Sequence, residues 1–383
     1  MDGLFTDAGW VLAAIAMTGG AYALFASVLV GRFMRDDAPD AAHSPAVTIL
    51  KPLHLEDPDL RNNLETFFSQ NYAGAVQIVF GVHDEADPAL EVVRALQAKY
   101  PNRDTAIVAD TARYGANAKI SNLINMFPQA KHDVLVVSDS DIAVGPLWLA
   151  QVTAALSRPG VGIVSCLYTG EPGRGGEKLW SSLGAMGSSY DFLPNAVVGT
   201  SLGLAEPCMG STIALRRETL DEVGGFGAFA NMLADDYEMG AAVRAKGYTL
   251  AIPALGVGHT AAENSLYELF RHELRWTRTI RMVNRGGHLG SFVIHGFAFA
   301  LIAAVLLDFN AVSMGVLGFT LLSRLFLKYR IDGLFGTYAG PYWLMPLRDM
   351  LTFVVFVTSL FGETVHWRGT HFAVEASGAM SQV

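Results

Sequence analysis

"VLVVSDSDIAV", residues 134–144, sets four aliphatic residues in a row and then Ser138, Asp139, Ser140 and Asp141. An unbroken apolar run of this length, closed by polar residues, matches a strand buried on both faces, as strands of parallel sheets are. In an open α/β sheet, ligands sit beyond the carboxyl ends of the strands. Two carboxylates one residue apart at that edge can hold a hard divalent cation through oxygen. Asp and Ser are equally ordinary in a solvated turn. The stretch therefore predicts a sheet edge and leaves its chemistry open.

Similar runs recur on either side: "VTILKPL" (47–53), "VQIVFGV" (76–82), "TAIVAD" (105–110) and "VGIVSCLY" (161–168). Between the second and third lies "PALEVVRALQAKYP" (88–101), with apolar residues at helical spacing. Strands alternating with helices predict an α/β domain with a mostly parallel sheet.

The 383-residue chain is 51% hydrophobic and 16% charged, with net charge −9. It lies on the apolar side of soluble averages and carries no global basic field for nucleic acid. Its two cysteines, Cys166 and Cys208, have no metal-ligand spacing and read as reduced thiols.

The apolar residues are unevenly placed. Trp10 to Val30 is long enough to span a bilayer, with Asp2 and Asp7 before it and Arg32 and Arg35 after it. The positive-inside rule puts the N-terminus outside and residue 32 onward in the cytoplasm. Residues 1–31 are thus an uncleaved anchor, and "DDAPDAAHSPA" within 32–46 is a linker. Ser291–Leu307 and Ala311–Leu327 form a second apolar pair, with Asp308 and Asn310 between them and Lys328 and Arg330 after them. This predicts a transmembrane hairpin over 291–340. Tyr342–Phe361 is apolar but interrupted by Arg348 and Asp349. An ionisable pair inside one span is expensive, so 341–383 reads as an interfacial or re-entrant segment and a tail.

Further acidic residues follow other elements. Asp84 ends a buried strand and can accept a hydrogen bond from a base or ribose; Asp87 before Pro88 suits a helix cap. "RYGANAKISNLIN" (113–125) offers Lys119 to a phosphate or carbonyl, or simply to solvent. "NMLADDYEMG" (231–240) opens a helix on Asp235 and Asp236. Acids suit a first helical turn, and one of them can also serve as general base. Finally, "YELFRHELRWTRTIRMVNR" (267–285) has no helix breaker and spaces its arginines three or four apart. An amphipathic helix over 265–290, lying among lipid headgroups, accounts for Arg278, Arg281 and Arg285.

Taken together and in order, these pieces resemble the lipid-linked and processive glycosyltransferases of GT-A fold, and most of all the ceramide glucosyltransferase family and its bacterial relatives. That resemblance implies a GT-A (Rossmann-like) domain over 47–264, between N-terminal and C-terminal transmembrane helices. The three aspartate signatures fall on "GVHDEADPA" (Asp84), "VSDSDI" (Asp139, with Asp141 completing a DxD) and "LADDYEMG" (Asp236). "GANAKISNL" points to Asn117, Lys119 and Asn122, and "HELRW" to Arg275 and Trp276. His272 stands where the family has Gln or Arg; a histidine cannot replace a permanent guanidinium.

The resemblance implies Asp236 as catalytic base. It implies donor binding by Asp84, Asn117, Lys119, Asn122, Asp139, Arg275 and Trp276, and a Mg²⁺ or Mn²⁺ ion on Asp139 and Asp141. Asp235, Cys208, Met209, Gly210 and His272 fall on the acceptor or sugar side, which the segment between Pro159 and Pro207 is expected to shape. A nucleophilic Cys208 is disfavoured, since no His pairs with it. "ILKPLH", "ISNLINMFP", "HELRWTRTIR" and "LMPLRDMLTF", with "WRG" after the last apolar element, are similar to the hopanoid-biosynthesis branch. That branch implies transfer of N-acetylglucosamine from its UDP derivative to bacteriohopanetetrol at the bacterial inner membrane, with the catalytic domain in the cytoplasm. A ceramide acceptor with UDP-glucose or UDP-glucuronate is the alternative.

Overall fold

The computed structural model describes residues 2–35, 44–55, 57, 59–174 and 178–362, and the backbone of 364–367, 370–374 and 380–382. Most of the expected linker, Gly175–Glu177, and Arg368 and Gly369 of "WRG" lie outside the described residues.

A long helix, α1 (Asp2–Phe33), comes first. The domain then alternates β1 (Val47–Pro52), α2 (Leu60–Phe68), β2 (Val76–Val82), α3 (Ala89–Lys99), β3 (Asp104–Ala109), α4 (Ala118–Met126) and β4 (Val134–Val137). β1 pairs in parallel with β2 and β4, and β2 with β3. Four of the five runs read from the sequence are thus single strands, and their order 3-2-1-4 puts a topological switch between β1 and β4. There the crossovers leave in opposite directions and open a crevice at the carboxyl edge.

The remainder is β5 (Ile142–Ala143), α5 (Trp148–Leu156), β6 (Val161–Ser165), β7 (Leu167–Pro172), α6 (Lys178–Gly187), α7 (Leu193–Ser201), β8 (Ile213–Arg216), α8 (Arg217–Glu222), α9 (Asp235–Ala245), β9 (Thr249–Ala251) and β10 (Gly256–Ala261). β8 runs antiparallel between β4 and β6, and β9 closes the seven-stranded sheet. "VGIVSCLY" is not one strand. It breaks at buried Cys166, so that β6 stays in the main sheet and β7 joins β10 and β5 in a second one. Apolar clusters cover both faces of the main sheet, Phe67, Phe80 and Trp148 in one, Ile120, Leu135 and Leu215 in the other.

α10 (Leu266–Val283) starts on a capping box: Ser265 Oγ accepts from Glu268 N at 3.2 Å, and Glu268 Oε2 from Asn264 N at 2.9 Å. Then come α11 (Arg285–Gly290), α12 (Gly296–Leu306), α13 (Ala311–Phe335) and α14 (Met345–Ser359). Among the described residues, three helices are long and apolar enough to cross a membrane: Leu4–Phe33, Arg285–Leu306 and Ala311–Phe335. α14, with 15 residues, is shorter than the ~20 a span needs. Its Arg348 and Asp349 are buried against protein.

Arg278 and Arg281 have partners within the protein. Arg278 Nη2 donates to Phe361 O at 2.9 Å, and Arg281 donates to Leu360 O and Gly362 O at 2.8 and 2.6 Å. They satisfy carbonyls that the end of α14 leaves without intrahelical partners.

Candidate active site

The acidic signatures reach the switch point from different directions. Asp139 and Asp141 follow β4, whereas Asp235 and Asp236 open α9. Lys119, on the first turn of α4, joins them: its Nζ lies 2.7 Å from Asp139 Oδ1 and 3.5 Å from Asp235 Oδ2. Burial works against this ammonium, but the carboxylates of Asp139, Asp235 and Asp236 outweigh it and hold its pKa above the ordinary lysine value. A solvated lysine is thereby ruled out. Asn117 caps α4 by accepting from Ile120 N at 3.1 Å, and its amide donates to Met232 O and to Asp235 Oδ1. One asparagine thus ties the start of α4 to the start of α9.

Asp236 is a strongly perturbed acid. Burial, then the neighbouring charge of Asp235, push its pKa up to about 6 against the pull of Lys119. Its Oδ2 accepts the Gly210 N–H at 2.8 Å. A Cβ on Gly210 would stand 2.7 Å from Asp139 Oδ2 and 3.0 Å from Lys119 Nζ, so a side chain here would displace the Lys119–Asp139 pair. A buried carboxylate poised near neutrality has the proton affinity of a general base.

Asp141 faces the other way. Its Oδ2 lies 3.3 Å from His259 Nε2 on β10, and its buried Oδ1 has no hydrogen-bond partner among the described residues. Burial opposes the charged form of His259, but Asp141 wins and raises its pKa. An oxygen left unsatisfied beside an imidazole is a suitable position for a divalent cation. Among the described residues no three His, Cys, Asp or Glu groups converge on one point. This fits an ion held by one or two carboxylates with substrate phosphates completing its shell. Asp139, whose Oδ1 is on Lys119, is less available for that role than Asp141.

Behind β4 sits a residue that the sequence reading passed over. Lys51 on β1 is fully buried, its Nζ donating to Asp139 O and Ser138 Oγ and lying 3.9 Å from the Phe67 ring centroid. Burial pulls its pKa down to about 7 against Asp139, Asp141 and Asp57. The signal was a lysine inside an otherwise apolar strand. His259 and Glu263 were also passed over; no motif flags them.

Along α10, His272 Nδ1 hydrogen-bonds to Glu263 Oε1, and its ring centroid lies 4.3 Å from that of Trp276. Trp276 in turn lies 5.7 Å from His259. Trp276 is therefore brought up to the partner of Asp141. A cavity of about 260 Å³ opens here, lined by Asp57, Asp141, His259, Glu263, Glu268 and His272. Arg275 is half-buried one residue before Trp276.

Other expected residues are placed differently. Asp84 is exposed beyond β2 and accepts from Ala86 N at 2.9 Å. Asp87 accepts from Ala89 N at 2.9 Å, at the start of α3. Asn122 is buried, and its amide donates to Gly81 O at 2.8 Å, a bond within the scaffold. Met209 is buried, its N–H on Ser165 Oγ. Burial raises the Cys208 thiol pKa, which removes the thiolate a nucleophile needs.

A protein-family model for glycosyl transferase family 21 matches residues 9–380. The chain belongs to that family. This family 21 chain is 28% identical over 236 residues to ceramide glucosyltransferase 1 of Caenorhabditis elegans, a match covering 61% of this chain and 49% of that one. It is 30% identical over 233 residues to ceramide glucosyltransferase 3 of the same organism, covering 58% and 46%. It thus spans about half the length of these relatives. Among solved structures, a mannosyltransferase from Pyrobaculum calidifontis in complex with GDP-Man and Mn²⁺ superimposes with a TM-score of 0.50 at 21% identity. The match covers 91% of this chain and 99% of that one, and the family 21 chain shares its GT-A-like fold.

Proposed function

We propose that this chain is a membrane-bound inverting glycosyltransferase that moves a hexosyl group from a UDP-sugar to a hydroxyl of a membrane lipid. The observation that carries this reading is Asp236, a buried carboxylate raised to about 6 and held by the Gly210 N–H beside the Lys119–Asp139 pair. The nucleotide lies over the strand ends, near Asp84. Asp141 and Asp139 would hold a Mg²⁺ or Mn²⁺ ion, with His259 orienting Asp141, and the ion would supply charge neutralisation at the departing diphosphate. Lys119 keeps Asp139 and Asp235 in place and balances their charge. The lipid hydroxyl gives its proton to Asp236 as its oxygen bonds to the anomeric carbon. The bond from that carbon to the diphosphate breaks on the opposite face. Trp276 and His272 wall the sugar and acceptor side.

For the acceptor, the sequence resemblance favours bacteriohopanetetrol with UDP-N-acetylglucosamine. A second reading, ceramide with UDP-glucose, is favoured by the names of the two Caenorhabditis elegans relatives. By the positive-inside rule the catalytic domain lies on the side of Arg32, in the cytoplasm. The test is a transfer assay on the purified chain with both lipids and UDP-glucose, UDP-N-acetylglucosamine and UDP-glucuronate, read by mass spectrometry with and without EDTA. A glycolipid product that vanishes with EDTA supports the reading, and its mass decides sugar and lipid. UDP-sugar binding without any lipid product would sink it.

A further inference from the structure

α7 and the turn before it were read from sequence as part of the catalytic domain, yet they pack among the membrane helices. Leu193, Ala196 and Val197 share one apolar cluster with Ala23, Ala26 and Val30 of α1. Tyr22 OH donates to Asn195 Oδ1 at 2.5 Å. Tyr22 precedes Val30 by eight residues, about 12 Å along the helix. α13 adds a second measure. Arg324 Nη1 donates to Tyr190 O at 2.9 Å, and Arg324 precedes Leu327, where the second apolar stretch ends, by three residues, about 4.5 Å. On the reading that both apolar stretches cross the bilayer, Tyr190–Asn195 lie inside its surface.

The polar atoms at that depth are matched. Residues 188–192 form one π-helical turn that presents Asp191 to both Arg324 and Arg348. Non-helical or irregular backbone is tolerated in a membrane only where protein satisfies it in this way.

From Asn195, α7 runs on about 9 Å to Ser201, and the chain turns at Gly203 (φ 64°). The turn exposes Leu202 (50%) and Leu204 (72%), directly after the helix that packs against α1. It then runs along α9 toward its first turn. Glu206 pairs with Arg244 at 2.9 Å, Cys208 packs on Gly240, and the Gly210 N–H reaches Asp236. One strap thus connects an exposed apolar tip, next to the helix packed on α1, to the carboxylate assigned as base.

We propose that the Leu202–Gly203–Leu204 tip dips into the lipid leaflet and is the gateway by which the acceptor lipid reaches Asp236. The partner is the apolar body of a membrane lipid, and the argument for it is continuity with the helices that already sit in the bilayer. The gateway rests on the reading of the chain as a lipid glycosyltransferase; the position of the tip does not.

Two measurements on the full chain in phosphatidylcholine vesicles test it. In Leu204→Cys, a fluorophore on the new thiol is quenched by nitroxide-labelled phospholipid; Cys166 and Cys208 are buried. In Leu202→Ser/Leu204→Glu, KM for long-chain acceptor in the vesicle (bacteriohopanetetrol or ceramide, whichever is glycosylated) rises roughly tenfold. KM for the UDP-sugar and the rate on a water-soluble short-chain analogue stay within about twofold. An unquenched probe overturns the proposal. So does an equal loss on both acceptors, or no loss on either. Quenching in a chain that transfers no sugar, unmodified or not, overturns the gateway together with the function; transfer with an unquenched probe overturns the gateway alone.

Discussion

The strand-end site and the membrane-side junction are both built from buried charges, and they use them oppositely. At the strand ends, Asp141 Oδ1 is left without a partner among the described residues and Asp236 is held near neutrality, so the charges are incompletely matched. At the junction, Arg324 bonds to Asp191, Asp349 and Tyr190 O, and Arg348 to Asp191, Glu273 and Leu183 O. Every nitrogen of these two guanidiniums donates to protein. Unmatched charge awaits a ligand or a proton; matched charge fixes geometry. Since Glu273 lies between His272 and Trp276 on α10, the junction also sets how α10 presents those two rings.

The largest effect should come from the unmatched side. Asp236→Asn is expected to lower kcat by about 10²–10⁴-fold, with UDP-sugar affinity, measured by calorimetry, within about twofold. Lost donor binding in that variant would move Asp236 from base to donor ligand. On the matched side, Arg348→Met strands the carboxylate of Glu273 and takes one of two guanidiniums from Asp191, and should cost about 3–5 kcal/mol in denaturant unfolding in detergent. Lys131→Met, which removes an exposed pair with Asp104, should cost less than about 1 kcal/mol. Equal losses would erase the distinction between the two kinds of pair.

A smaller effect is expected from His259→Ala: the Mn²⁺ concentration for half-maximal rate should rise about 10–100-fold, read by titrating the metal-stripped chain. An unchanged metal requirement would leave Asp141 without its imidazole partner in that role. The mildest test uses pH alone. A base works deprotonated, and burial has raised Asp236 to about 6, so kcat/KM should be flat above that value and fall about tenfold per pH unit below it. A limb near the ordinary carboxylate value would mean that the base of the free enzyme is not the buried, raised carboxylate of Asp236.

The same contrast explains what the sequence could reveal. Strands β1 to β4 were legible because burial on both faces writes an apolar run, and the acids were legible because they follow those runs. Asp139, Asp235, Lys119 and Asp236 do meet. Lys51 was hidden because one polar residue does not break a run, and His259 because its role arises from β10 lying beside β5, a pairing set by the fold. The packing of α7 against α1 left no trace, since nine residues give no transmembrane signal. Arg278 and Arg281 had the right spacing for a headgroup belt; only the position of α14's last carbonyls reveals their partners. "VGIVSCLY" read as one strand because a sheet-to-sheet crossing at Cys166 costs no apolar residue.

The close fit of α1 against α7 has a practical side. A soluble version lacking residues 1–35 would uncover Leu193, Ala196 and Val197 and leave Asn195 without the Tyr22 hydroxyl. A borrowed anchor of equal length and greasiness would restore neither. For this chain, solubilisation and relocalisation by swapping the first helix are engineering routes that trade away the integrity of the acceptor side. Point changes on the outward face of α1, at exposed positions such as Val11 or Val28, leave it intact.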